Sequence, residues 1–269
     1  MMVDSKSDTN NSMGKTVVCH FYNEEWLLPW WLQHHSKVFD HGIMIDYAST
    51  DRSIELIKKY CPTWEIRPSR NKHFDSAAID QEVMDIEKTL TGWRMTLNVT
   101  EFLYGNTDHL YQRDEMTQYL IGNYVFVDME DASKEPTYLL HEFPLHQQRF
   151  WGFDPNHGEG PMPGGAMRRM NRSLHNFPIQ YTGGRHFGKT KRSFDDLVIF
   201  YYGWAYVKDQ AIDRKTQILP KISESNSPHH RSRDQFVSEL REQRRLCQDL
   251  RETVAPILEH NRRITGQEF

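Results

Sequence analysis

Polar side chains gather where short apolar runs end, and their types suit ligand chemistry. Val17-Val18-Cys19 leads through His20 into Tyr22-Asn23-Glu24-Glu25. Gly42-Ile43-Met44-Ile45 ends in Asp46 and closes with Ser49-Thr50-Asp51. Trp93 to Leu97 ends in Asn98, Thr100 and Glu101. If each run is a strand, these groups stand at the carboxyl ends of the strands, where open α/β sheets bind ligands. Ser69-Arg70-Asn71-Lys72-His73 is a basic stretch on the same edge; Arg70 or Lys72 offers a phosphate partner there, or the stretch is a solvated turn. In Gly183-Gly184-Arg185-His186 a guanidinium and an imidazole follow two glycines, where backbone can approach a ligand closely. A surface or hydrogen-bonded structural histidine is the competing reading of His186.

The elements that must position these groups follow from periodicity. The two first apolar runs flank a helix-like segment. Ile54, Leu56, Ile57 and Tyr60 form a helical stripe that Asp51 can cap and Pro62 stops. Trp64 to Arg67 reads as a third strand, Ser76 to Leu90 as a helix, and Trp93 to Leu97 as a fourth strand. Strands alternating with helices predict an α/β fold with a doubly wound, mostly parallel sheet. Farther on, a helix is predicted over Tyr111–Ile121, a strand over Asn123–Met129 and a strand or buried segment over Leu197–Ala205. The glycine-, proline- and histidine-rich stretch Phe150 to Asn171 reads as a long functional or disordered loop. A single long helix is predicted over Gln235–Asn261. Its stripe of Phe236, Leu240, Cys247, Leu250, Val254 and Ile257 serves either docking on the body or a homodimer seam. The predicted organisation is a polar, disordered tail at 1–14, one domain over 15–225 and a helical extension over 226–269.

Tyr22-Asn23-Glu24 followed by Asp46-Tyr47-Ala48-Ser49-Thr50-Asp51 resembles the opening of family 2-like glycosyltransferases with a GT-A fold. Gly92-Trp93-Arg94-Met95-Thr96-Leu97-Asn98-Val99-Thr100-Glu101-Phe102-Leu103 resembles that family's metal motif, with Asn98 and Thr100 where two aspartates usually stand. The likeness runs from about residue 16 to about residue 220. It implies transfer of a sugar, with inversion, from a nucleoside diphosphate donor to a hydroxyl of a glycan or lipid-linked acceptor. It implies that His20, Tyr22, Glu24, Asp46, Asp51, Arg70, Asn98, Thr100 and Arg185 bind the nucleotide sugar. Glu101 and His186 become the candidate ligands of Mn²⁺ or Mg²⁺, hard cations suited to oxygen donors. Asp154, beside aromatics in the Gly/Pro/His-rich stretch, is the chosen general base, with Asp75 and Asp80 as alternatives. Neutral amide and hydroxyl oxygens are poor metal ligands, so three outcomes stay open: metal held weakly by Glu101, a metal-free clamp of Arg, Lys or His, or binding without turnover. A nucleotidyltransferase on a related sheet would need a glycine-rich basic loop after the first strand, where this chain has Tyr22-Asn23-Glu24-Glu25.

Composition narrows the partners. The 269 residues carry a formal net charge of −4, so no global field draws nucleic acid or an anionic membrane. Cys19, Cys61 and Cys247 form neither a disulfide framework nor a zinc pattern, and a reducing, cytoplasmic setting is expected. The amino-terminal residues lack the apolar core of a signal peptide, and Leu197 to Val207 is too short and polar to span a bilayer. Any work at a membrane is expected to be peripheral. P-loop, Rossmann and G-x-S-x-G fingerprints are missing. Asn98-Val99-Thr100 matches a glycosylation sequon only formally, at a predicted buried strand end.

Overall fold

The structure, a computed structural model, describes residues 14–105, 116–155, 172–181, 183–185, 197–207, 209–222 and 231–265, with side chains to 260. The tail at 1–13, residues 156–171 of the glycine-rich stretch and His186 lie outside these.

The first part follows the sequence periodicity. β1 (Lys15–Phe21), α1 (Leu28–His35), β2 (His41–Asp46), α2 (Ser53–Tyr60), β3 (Glu65–Pro68), α3 (Ser76–Glu87) and β4 (Trp93–Thr96) alternate. β1 pairs in parallel with β2 and β4, and β2 with β3. Helices cover both faces of β1, so its alternate side chains enter two cores. Val17, Cys19 and Phe21 meet Leu28, Trp31, Leu56 and Ile57, whereas Val18 meets Ile43, Ile45 and Val83. Asp75 opens α3 by accepting the Ala78 N–H at 2.9 Å, a capping role.

Beyond β4 the expected mostly parallel sheet gives way to two mixed sheets. The later strands are β5 (Glu101–Gly105), β6 (Gln118–Ile121), β7 (Asn123–Val127), β8 (Trp151–Phe153), β9 (Arg172–His175), β10 (Leu197–Trp204) and β11 (Gln248–Asp249). One sheet has the order β3-β2-β1-β4-β9-β6, with β9 antiparallel to both neighbours. The other has the order β11-β8-β7-β10-β5, in which β7 and β10 run parallel and the remaining pairs antiparallel. The link from β4 to β5 is too short for the crossover that parallel pairing needs. The chain therefore leaves the first sheet at Leu97–Thr100 and enters the second. It changes sheets again at Gly122, between β6 and β7.

Two helix predictions are corrected. The described end of Tyr111–Ile121 is β6, because pairing with β9 claims its backbone. The long helix over Gln235–Asn261 is two helices, α6 (Arg233–Leu246) and α7 (Arg251–Thr265), parted by β11, which pairs with β8. Between them and β10 lie a short helix, α5 (Gln210–Thr216), and a 3₁₀ turn at Leu219–Lys221; another short helix, α4 (Leu145–Gln148), precedes β8. Phe236, Leu240, Leu250 and Val254 are buried in the main core, so the apolar stripe docks on the body. β10 is buried along its whole length, as its apolar sequence predicts. Among the described residues no helix is long and apolar enough to cross a membrane.

The helix α1 and one ion pair join the sheets. Trp31 Nε1–H donates to the Glu101 carbonyl at 2.9 Å. His34 Nε2 lies 2.7 Å from the Leu103 carbonyl, and His35 Nε2 accepts the Leu103 N–H at 3.2 Å. Glu101 of β5 and Arg172 of β9 pair at 2.7 Å, both shielded from water.

Two outcomes follow from this junction. Burial pushes His34 down to about 4 from 6.5 and His35 well below 6.5, so the native state binds fewer protons than the unfolded chain. Their contribution is complete above pH 6.5 and is lost as pH falls toward 4. Urea unfolding at a series of pH values should show that decline, and a His34→Gln/His35→Gln double variant should flatten it. Glu101→Gln leaves Arg172 charged and buried without its partner. Unfolding free energy should fall by about 3–5 kcal/mol, read from the urea midpoint at unchanged slope.

Candidate functional site

A cavity of about 470 Å³ opens where the two sheets part. Its floor is the sheet switch after β4, with Asn98, Val99 and Thr100. One wall comes from the carboxyl end of β1 and its following turn (His20, Tyr22, Glu24) with Tyr47 after β2. The opposite wall comes from β10, α5 and α6, through Trp204, Lys215, Phe236, Glu239 and Gln243. The helical extension expected over 226–269 therefore supplies part of the cavity itself.

The polar motifs after β1 and β2 chiefly fasten one another. The Thr50 N–H donates to Asn23 Oδ1 at 2.7 Å, and the Asn23 N–H donates to Ser49 Oγ at 3.0 Å. Asp51 accepts the N–H groups of Glu25 and Ser53 at 3.0 and 2.9 Å. Asp46 accepts the Ser49 N–H at 2.9 Å. Asp46 and Asp51 do not line the cavity; they set the two turns that do. Tyr22 stands beneath the Lys221 ammonium, 4.0 Å from its ring centre, while that ammonium donates to the Tyr47 carbonyl at 2.8 Å.

His20, Tyr22, Glu24, Asn98, Thr100 and Arg185 are brought together around the cavity. His20 Nε2 lies 3.3 Å from Glu82 and 3.4 Å from Ser69 Oγ, and its Nδ1 is buried without a partner. Burial opposes ionisation of Glu82, but hydrogen bonds from His20, the Arg70 N–H and Ser69 hold it at about 2. Glu24 is clamped by Arg214 at 2.6 and 3.0 Å. Arg70 lies outside the cavity, paired with Asp85 at 2.7 Å. Asp154 does not line the cavity, though its neighbours Phe153 and Pro155 do.

Arg185 lines the cavity beside Asn98. It adopts a left-handed backbone, φ 60°, which for a non-glycine residue needs support. Asp80 Oδ2 supplies it by accepting the Gly184 and Arg185 N–H groups at 2.8 and 3.3 Å. Arg185 Nη2 donates to Asn98 Oδ1 at 3.0 Å, and its Nε is buried with no partner. Burial and the nearby Arg172 both lower its proton affinity.

Glu101 lies behind Asn98. Oε1 accepts from Arg172 Nη2 at 2.7 Å and Nε at 3.0 Å; Oε2 accepts from the Asn98 N–H at 2.8 Å and Arg172 Nε at 2.9 Å. Among the described residues no three His, Cys, Asp or Glu side chains form a metal-holding group. With Glu101 on Arg172 and the Asn98 oxygen on Arg185, this donor set suits an anion better than a divalent cation.

Arg172, Lys215, Arg231 and Glu239 line the cavity without having been singled out from the sequence as site residues. They lie far apart in the chain, in contexts that carry no local signal. Asp80, an alternative general base in the sequence, lines the cavity and holds the Arg185 turn through the bonds above.

The chain matches no protein-family model and no curated protein. Among solved structures it is similar to S. aureus TarS, at 16% identity over 42% of this chain and 22% of TarS, with a TM-score of 0.35. TarS 1–349 in complex with UDP-GlcNAc overlaps at 13% identity, 42% and 35% coverage and a TM-score of 0.31. HddC from Yersinia pseudotuberculosis overlaps at 11% identity over 70% of this chain and 93% of HddC, with a TM-score of 0.36. Core-mannan synthase A from Aspergillus fumigatus, in its Mn/GDP form, overlaps at 10% identity, 47% and 45% coverage and a TM-score of 0.30. The chain spans about a fifth of the length of TarS. These likenesses are partial, and with TM-scores below 0.5 they carry no functional weight.

Proposed function

We propose that this chain is a nucleotide-sugar-dependent transferase that moves a sugar from a nucleoside diphosphate to a hydroxyl of a glycan or lipid-linked acceptor. The observation that carries this reading is the cavity at the carboxyl ends of β1 and β4, lined by Arg185, whose Nε is buried without a partner. A planar, permanently charged guanidinium is matched to phosphate oxygens. Tyr22 and Tyr47 supply flat surfaces for a base. In the proposed step the acceptor oxygen bonds to the anomeric carbon as the bond from that carbon to the phosphate oxygen breaks, inverting the centre. The electron pair leaves on the diphosphate, and Arg185 stabilises the developing charge. The proton of the attacking hydroxyl goes to a general base; Asp154 is assigned that role from the sequence, lies beside cavity residues Phe153 and Pro155 without lining the cavity itself, and would act on an acceptor bound at its edge.

The proposed enzyme needs no divalent cation, because Arg185 fills the place of a metal clamp and Arg172 engages Glu101. A binder without turnover is the second reading; it is favoured by the Asn98 amide oxygen being spent on Arg185.

Calorimetric titration with a panel of nucleoside diphosphates and their sugars, in Mn²⁺ and in EDTA, tests this. One nucleotide series should bind with the same Kd in both. Arg185→Met should weaken it by about 10- to 100-fold, the worth of a hydrogen bond to a charged group. Absence of binding across the panel rules out the proposal, and affinity that collapses in EDTA rules out the metal-free form of it. Sugar release from the bound donor separates an enzyme from a silent binder.

A further inference from the structure

Nearly every cation facing the cavity has a carboxylate. Arg214 pairs with Glu24 and Arg231 with Glu239, each at 2.6 Å; Arg172 pairs with Glu101 at 2.7 Å; Arg185 lies 3.8 Å from Asp80. Lys215 differs: among the described residues it makes no ion pair, although it lines the same cavity. Its Nζ stands 3.8 Å from the centre of the Trp204 ring and 5.9 Å from that of Phe236. The charged groups around it come from three directions. Arg214 precedes it on α5, Glu24 follows β1, Arg231 lies in the segment leading into α6 and Glu239 in the middle of α6. Both carboxylates are already held by the two arginines.

The Trp204 face favours the ammonium, but burial and a neighbouring guanidinium oppose it. Burial first, and Arg214 second, push Lys215 down to about 7. An arriving anion reverses the balance, because it supplies the counter-charge that the fold withholds.

We propose that Lys215 is the anion-docking amine of this cavity, the group against which a phosphate of the ligand settles. The proposal rests on the diphosphate reading above and adds a regulatory property, since ligand affinity becomes coupled to pH. No covalent bond forms; the neutral amine takes one proton, and the ammonium pairs with a phosphate oxygen.

Inorganic pyrophosphate and nucleoside diphosphates share this chemistry, so pyrophosphate, UDP and GDP serve as probes. Each is titrated into the full chain by calorimetry at about pH 8, in two buffers of different ionisation enthalpy. Wild type should take up close to one proton per ligand, and affinity should fall by up to about tenfold per pH unit above neutrality. Lys215→Arg, charged throughout, should still bind but lose both the proton uptake and the pH slope. Lys215→Met should lose tenfold or more in affinity at pH 7. Uptake with pyrophosphate as well as a nucleotide means the phosphates suffice; uptake with a nucleotide alone means the nucleoside must seat them. Binding without proton uptake, or uptake that survives in Lys215→Arg, overturns the role of Lys215 and leaves the diphosphate reading standing. Failure of all three probes to bind overturns both.

Discussion

Everything around the cavity hangs on the pairing of Glu101 with Arg172. One partner belongs to β5 in the second sheet and the other to β9 in the first, and both are shielded from water. Each needs the other there, because a lone charge at that depth carries a large solvation penalty. The two ends of the pair reach farther. Glu101 accepts the Asn98 N–H, which shapes the floor after β4. Arg172 donates to the Gly184 carbonyl, which holds the turn that presents Arg185. The ion pair thus sets where the sheets meet and where the Arg185 guanidinium stands.

The rim is built on the same economy of polar groups. The turns after β1 and β2 contain many hydrogen-bonding side chains, and most are spent on the neighbouring turn. Such mutual satisfaction holds the turns that carry Tyr22 and Tyr47 in one arrangement. Groups left unsatisfied lie inward: Arg185 Nε, His20 Nδ1 and both amide atoms of Asn123 are buried without partners.

The fold is legible in the sequence as far as β4 and much less so afterwards. Up to Thr96, local periodicity and tertiary role agree, since β1, β2 and β4 are strands covered on both faces and β3 is the half-exposed edge. After it, partners are distant and local pattern misleads. Gln118–Ile121 resembles a helix end until β9 pairs with it, and nothing in Gln248-Asp249 announces that a helix stops so that β8 can gain a partner. The site divides likewise. Strand-end residues such as Tyr22, Asn98 and Thr100 were readable because β1 and β4 place them. Asp46 and Asp51 share that position but turn to backbone N–H groups, a choice no spacing reveals. Arg172 and Lys215 acquire meaning only from segments far away in the chain.

That distance has a kinetic side. Glu24 and Arg214, joined across the cavity, are 190 residues apart in sequence. Closing so long a span costs chain entropy before any contact repays it, and topologies dominated by such contacts fold slowly. The first α/β units can assemble from neighbours, but the cavity wall waits for α5 and α6 to return. During synthesis the turns after β1 and β2 emerge long before their partners, and Glu24 spends that interval without Arg214. The cavity wall is therefore the part of this fold whose closure depends on the longest span of chain.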